Sequence, residues 1–198
     1  MRERLLPFEA ILEQYPKDIE LKSGLKCQVR PLRRRDEHAF RAFLEAVPEH
    51  ERMFLKHCVR DPAVVHDWCT HIDYGHNLPL LAWADRRIIG EAGLHQQLGG
   101  WKRHIGRLCV LVHPKYRGRG LAAALVSEIV EIARHLGLAK VEAEFTAEQE
   151  RALRVFGMVG FTPLARLPDY VKDMHAIAHD YVLMGLDLVT DEEFAGVG

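Results

Sequence analysis

Long apolar runs are missing from this sequence of 198 residues: no stretch approaches the ~18 consecutive apolar residues needed to cross a bilayer. The first residues, Met-Arg-Glu-Arg-Leu-Leu-Pro, lack the apolar core of a secretory signal. Cysteine is scarce. Cys27, Cys58, Cys69 and Cys109 form no C-x-x-C pair and are too few for a disulfide scaffold. They read as reduced thiols, and the expected location is cytoplasmic. Neither sign of charge dominates, with 27 Lys and Arg against 28 Asp and Glu for a net charge of -1. That balance speaks against nucleic acid or an anionic membrane held by bulk charge. Internal repeats and low-complexity segments are absent as well. What remains is a 48% hydrophobic composition, enough for one packed domain.

Proline and glycine punctuate that domain. Residues 1–22 form a lead-in with a loosely helical apolar pattern that Pro16 ends; 23–190 is the expected domain and 191–198 a flexible tail. Residues 25–32 alternate as a first strand. Asp36 is a plausible N-cap for a helix with Ala39, Phe40, Phe43, Leu44 and Val47 on one face, stopped by Pro48. Asp61-Pro62 opens a second helical stretch reaching Gly75. Residues 78–84 and 87–97 read as a hairpin about Asp85-Arg86. Residues 104–112 follow as a strand, so apolar from Leu108 that it should be covered on both faces. A strong amphipathic helix runs from Leu121 to a stop at Gly137. A strand at 141–145, a short helix at 147–157 and strands at 161–167 and 180–188 complete the order. Hairpins followed by a strand–helix–strand crossover predict an α/β (α+β) domain, with a mixed, mostly antiparallel sheet and helices on both faces.

The informative element is Val112-His113-Pro114-Lys115-Tyr116-Arg117-Gly118-Arg119-Gly120-Leu121-Ala122, a strand end feeding a glycine-spaced turn that opens a helix. Helical N–H groups at such a start lack partners and carry the positive end of the dipole, an anion site. Gly118 and Gly120 let a phosphate approach the backbone, and Arg117 and Arg119 add countercharge. The segment is neither a dinucleotide fingerprint nor a P-loop, and on local chemistry alone a simple tight turn fits equally well.

The same segment resembles the Q/R-x-x-G-x-G/A signature of the GNAT superfamily of acyl-CoA-dependent N-acyltransferases, with Arg117, Gly120 and Ala122 at its fixed positions. Gln149-x-x-Ala152-x-x-x-Phe156-x-x-x-Gly160-Phe161 resembles that family's N-x-x-A-x-x-x-Y-x-x-x-G-F block. The resemblance implies a V-shaped cleft between the strand ending at Val112 and the strand at Val141. Pantetheine would pair along Val110, Leu111 and Val112 like an added strand. The pyrophosphate would rest on Gly118, Arg119, Gly120, Leu121, Ala122 and Ala123, with Gln149 and Phe156 completing the cofactor side. The implied activity is N-acetyl transfer from acetyl-CoA, a co-substrate, to a primary amine of a small molecule or protein in a ternary complex. No metal, nucleic acid or membrane partner is expected, and a homodimer is allowed for. A catalytically silent acyl-CoA sensor is the alternative.

Attack on a thioester needs a neutral amine, an oxyanion donor and a departing thiolate. Glu144 stands five residues before Gln149, where relatives acting on protein amino termini carry a catalytic Glu; Glu142 shares its strand face, and an exposed carboxylate is the competing reading. Glu91 is the second candidate. The oxyanion donor is expected to be a backbone N–H near Leu111 or Val112. Phe156 departs from the pattern, since relatives often carry a Tyr there as the acid; Tyr170 or Tyr181 could take that role. No cysteine lies in a motif resembling an acyl-enzyme nucleophile. His66, Cys69, His71 and His76 cluster without metal-site spacing, and His104 and His113 read as strand-end polar residues.

Overall fold

The computed structural model describes residues 8–48, 51 and 61–188. Cys58, the start of the lead-in and the expected tail at 191–198 lie outside the described residues. The chain begins with α1 (Phe8–Leu12) and β1 (Lys17–Glu20), then β2 (Lys26–Pro31), α2 (Glu37–Ala46) and α3 (Pro62–Thr70). Strands β3 (Asn77–Ala84), β4 (Arg87–Gln96) and β5 (Ile105–Val112) lead to α4 (Leu121–His135). Strand β6 (Lys140–Thr146), α5 (Glu150–Val159), β7 (Thr162–Lys172) and β8 (Ala178–Asp187) finish the order. They form one sheet in the order β1-β2-β3-β4-β5-β6-β8-β7. Among the described residues only β5 and β6 pair in parallel.

Most elements fall where the residue pattern puts them, and the differences have local causes. The β3–β4 turn holds Asp85 and Arg86 at φ +48° and +62°, the two positive angles a two-residue hairpin turn demands. Asp61 caps α3 through its side chain, which accepts from Ala63 N at 2.9 Å. Asp36 does not cap by side chain. It is buried in a two-bond ion pair with Arg30, at 2.6 and 2.8 Å, and accepts from Arg33 N. The helix at Asp61 ends at Thr70 rather than near Gly75. The short helix runs from Glu150 to Val159 instead of ending at Gly157, because the stop is Gly160 at φ +106°. Strand β1 lies within the expected lead-in, and it pairs antiparallel with β2 along the sheet's edge.

Helices cover both faces. On one, Leu121, Leu125, Val126 and Ile129 of α4 pack on Leu80, Ala92, Leu94 and Leu108. On the other, Phe40, Phe43 and Leu44 of α2 and Val65 and Cys69 of α3 pack on Leu81 and Ile88, with Leu111 at the margin. One expectation fails: β5 is not covered throughout. Cys109 is exposed and residues 110–112 are only half-buried. The reason is topological and sets up the site.

Candidate functional site

Strands β5 and β6 pair only through Ile105↔Lys140, Gly106↔Val141 and Arg107↔Glu142. Beyond that, β5 stays with β4 as far as Val112, while β6 stays with β8 as far as Thr146. The sheet therefore opens into a V. Gly106 sits at the joined end, where a Cβ would lie 2.7 Å from Leu94 Cδ1 and 2.9 Å from Leu138 Cδ1, so a side chain there would make both leucines shift. The ladder's phase tells which groups line the opening. His113 N donates to Ile89 O at 3.0 Å, so the backbone groups of Leu111 and Cys109 also face β4. Those of Val110 and Val112 face the gap, and Val112 O there accepts from Arg117 Nε at 3.1 Å. Of the two expected oxyanion donors, Leu111 N–H is thus turned away and Val112 N–H remains, joined by Val110.

The gap leads to the start of α4. Gly118 and Gly120 hold φ +73° and +86°, and no atom lies within 4 Å of a Cβ built on either. Gly120 is the N-cap and has no side chain to satisfy the first turn. The first helical bond is Ala124 N to Gly120 O. The N–H groups of residues 118–123 therefore donate to no protein group among the described residues. That is an anion cradle with roughly half a positive charge behind it. Arg117 is not a loose countercharge. Its guanidinium makes two bonds to Glu51, at 2.7 and 2.8 Å, while Nε holds Val112 O. It ties the gap's edge to Glu51.

On the sheet face beneath α2 and α3, a polar strip crosses the opening. Glu91, Gly93 and His95 of β4 lie opposite Leu111, Cys109 and Arg107 of β5. Arg107 Nη2 reaches Glu144 Oε1 of β6 at 3.2 Å. Tyr181 of β8 lies near Glu144, and burial together with that carboxylate pushes its phenol up to about 12. Glu91 is 8% exposed, between Leu81 and Leu111, with no hydrogen bond or ion pair among the described residues. Burial alone pushes its carboxyl up to about 8. Its Oε1 points over Gly93, where a Cβ would lie 3.0 Å from Cys109 Sγ, 3.2 Å from Glu91 Oε1 and 3.5 Å from His95 Nε2.

The sequence matches the acetyltransferase (GNAT) family over residues 38–161. The chain belongs to that family. It is 28% identical over 104 residues to the L-methionine sulfoximine/L-methionine sulfone acetyltransferase of Salmonella typhimurium, covering 44% of this chain and 61% of that protein. The same identity over 104 residues links it to the L-amino acid N-acyltransferase MnaT of Escherichia coli, covering 44% of this chain and 60% of the relative. The chain thus spans about three fifths of the length of the curated relatives it matches. Among solved structures, the GNAT domain of S. lividans PAT superposes with a TM-score of 0.72 at 22% identity, covering 86% of this chain and 96% of that one. The yncA structure from Salmonella typhimurium, which holds its cofactor acetyl-CoA, gives 0.70 at 20% identity, covering 83% and 95%. These likenesses establish the GNAT fold.

Within this GNAT chain the remaining candidates separate by environment. Gln149 sits at the start of α5, and its Oε1 accepts from Thr146 N at 2.9 Å, which fixes the β6–α5 turn. Phe156 is fully buried between Phe145 and Phe161, with ring centroids 4.8 and 4.9 Å away, so it shapes the core. Tyr170 is exposed, its ring 5.6 Å from that of Tyr181. His66, His71 and His76 each bond a different carboxylate, of Glu37, Asp67 and Asp73. Among the described residues no group of three or more His, Cys, Asp or Glu side chains is disposed to hold a metal ion. The sequence reading missed the roles of Arg107, His95, Cys109 and Glu51. Period-two spacing does put Glu91 and His95 on one face, and Arg107 and Cys109 on another, but nothing local says that those faces adjoin.

Proposed function

We propose that this chain transfers the acetyl group of acetyl-CoA to a primary amine by direct attack in a ternary complex. The observation that carries the reading is the parted β5–β6 gap ending on the α4 cradle. An extended thioester arm can add along the groups of Val110 and Val112 while its pyrophosphate meets the N–H groups of residues 118–123. Val110 N–H or Val112 N–H then donates to the oxyanion as the amine adds.

Of the two carboxylates, Glu91 is the better base. Glu144 is already engaged by Arg107 and Tyr181, whereas Glu91 is buried and unpartnered, and its proton affinity suits an amine near neutral pH. The named relatives act on L-amino acids or on methionine sulfoximine and sulfone, so amino-acid amines are the first acceptors we assign. Among the described residues no helix is long and apolar enough to cross a membrane.

The test is CoA thiol release from acetyl-CoA against L-methionine sulfone, other L-amino acids, polyamines and lysine peptides. Release that depends on amine supports the reading. CoA binding without release from any amine would leave a sensor.

A further inference from the structure

Cys109 differs from the other described cysteines in being exposed; Cys27 and Cys69 are buried. It stands on β5 next to Val110, whose backbone faces the gap. His95 Nε2 lies 3.8 Å from its Sγ, within reach of a sulfur hydrogen bond. The third member of the cluster, Glu91, is more than nine-tenths buried, lacks a partner among the described residues and aims Oε1 at the same spot over Gly93. No protein group among the described residues satisfies that carboxyl, so a polar occupant of the spot meets an acceptor. An imidazole within reach of a thiol is the pairing that activates a sulfur nucleophile.

We infer that Cys109 accepts the acetyl group from acetyl-CoA held in the cleft when no amine is present. The inference rests on the reading above only in that acetyl-CoA occupies the cleft. His95 Nε2 takes the thiol proton, and Sγ adds to the thioester carbonyl. The C–S bond to CoA then breaks, and the departing CoA thiolate takes the proton from His95. S-acetyl-Cys109 and CoA are the products. One thioester replaces another, so no further reactant is needed and the two sides are close in free energy.

The experiment incubates the full chain with acetyl-CoA alone and locates acetyl groups by peptide mass spectrometry. The expected result is one acetyl on the Cys109 peptide, removed by neutral hydroxylamine as a thioester is. It is absent in Cys109→Ala and forms about 10-fold or more slowly in His95→Gln. No acetyl on Cys109 would overturn the inference, and so would equal rates in His95→Gln and in the urea-unfolded chain. Failure here while the wild type acetylates an amine removes only this inference. An adduct on Cys109 with no amine ever acetylated removes the proposed function and leaves the inference standing.

Discussion

Glu91→Gln separates two consequences of burying a carboxyl without a partner. In the unfolded chain the group titrates near its ordinary 4.5, and in the folded protein near 8. Between those values the folded state holds a proton that the unfolded state has released, so stability falls as pH rises and levels off above about 8. Each pH unit in that window removes about 1.4 kcal/mol, up to roughly 5 kcal/mol across it and about 3 kcal/mol by pH 7. Water admitted to the ionised carboxylate reduces these upper figures. Glutamine has the same shape and no charge, so the variant lacks the slope. Melting curves from pH 5 to 9 should show the variant gaining on the wild type as pH rises, by several degrees at pH 8. Over the same range the wild-type acyl-transfer rate should climb towards pH 8, because only ionised Glu91 accepts a proton. Glu91→Gln should lose about 10²–10⁴ of that rate with CoA affinity intact, as removal of a positioned base does. Glu144→Gln, at a carboxylate already committed to Arg107, should change the rate only a few fold. A stability difference that is flat with pH, together with full activity in Glu91→Gln, would refute both the burial argument and the base assignment.

Three further outcomes follow from the site. Gly120→Val forces a β-branched residue to φ +86° and puts side-chain atoms into the cradle, so calorimetry should find CoA binding lost while far-ultraviolet dichroism stays native. Arg117→Ala removes both bonds to Glu51 and the brace on Val112 O; the melting temperature should fall by an amount equivalent to about 1–2 kcal/mol, with a smaller loss of CoA affinity. Phe156→Tyr restores the hydroxyl common in relatives but places it in a fully buried aromatic stack, so denaturant unfolding should show a loss of about 1–3 kcal/mol with no gain in turnover.

Much of this protein is written in short-range sequence. The Asp85-Arg86 turn, the Asp61-Pro62 start of α3, the apolar stripe of α4 and the Gly118–Gly120 cradle each depend on residues a few positions apart. Backbone sterics, capping and helical or strand period act at that range, so these features can be read without the fold. The parting of β5 from β6 could not be read that way, because it depends on which strand each keeps as its other neighbour, β4 or β8. Apolar content alone made residues 108–112 look like a covered central strand, although the gap leaves them partly open. The chemistry of Glu91 was equally hidden, since its raised proton affinity comes from burial between Leu81 and Leu111, residues on two neighbouring strands. Register brings His95 to Cys109 across 14 positions, and folding brings Glu51 to Arg117 across 66. Solvent exclusion and cross-strand register are properties of the assembled sheet, so proton affinity and side-chain meeting points are decided only in tertiary structure.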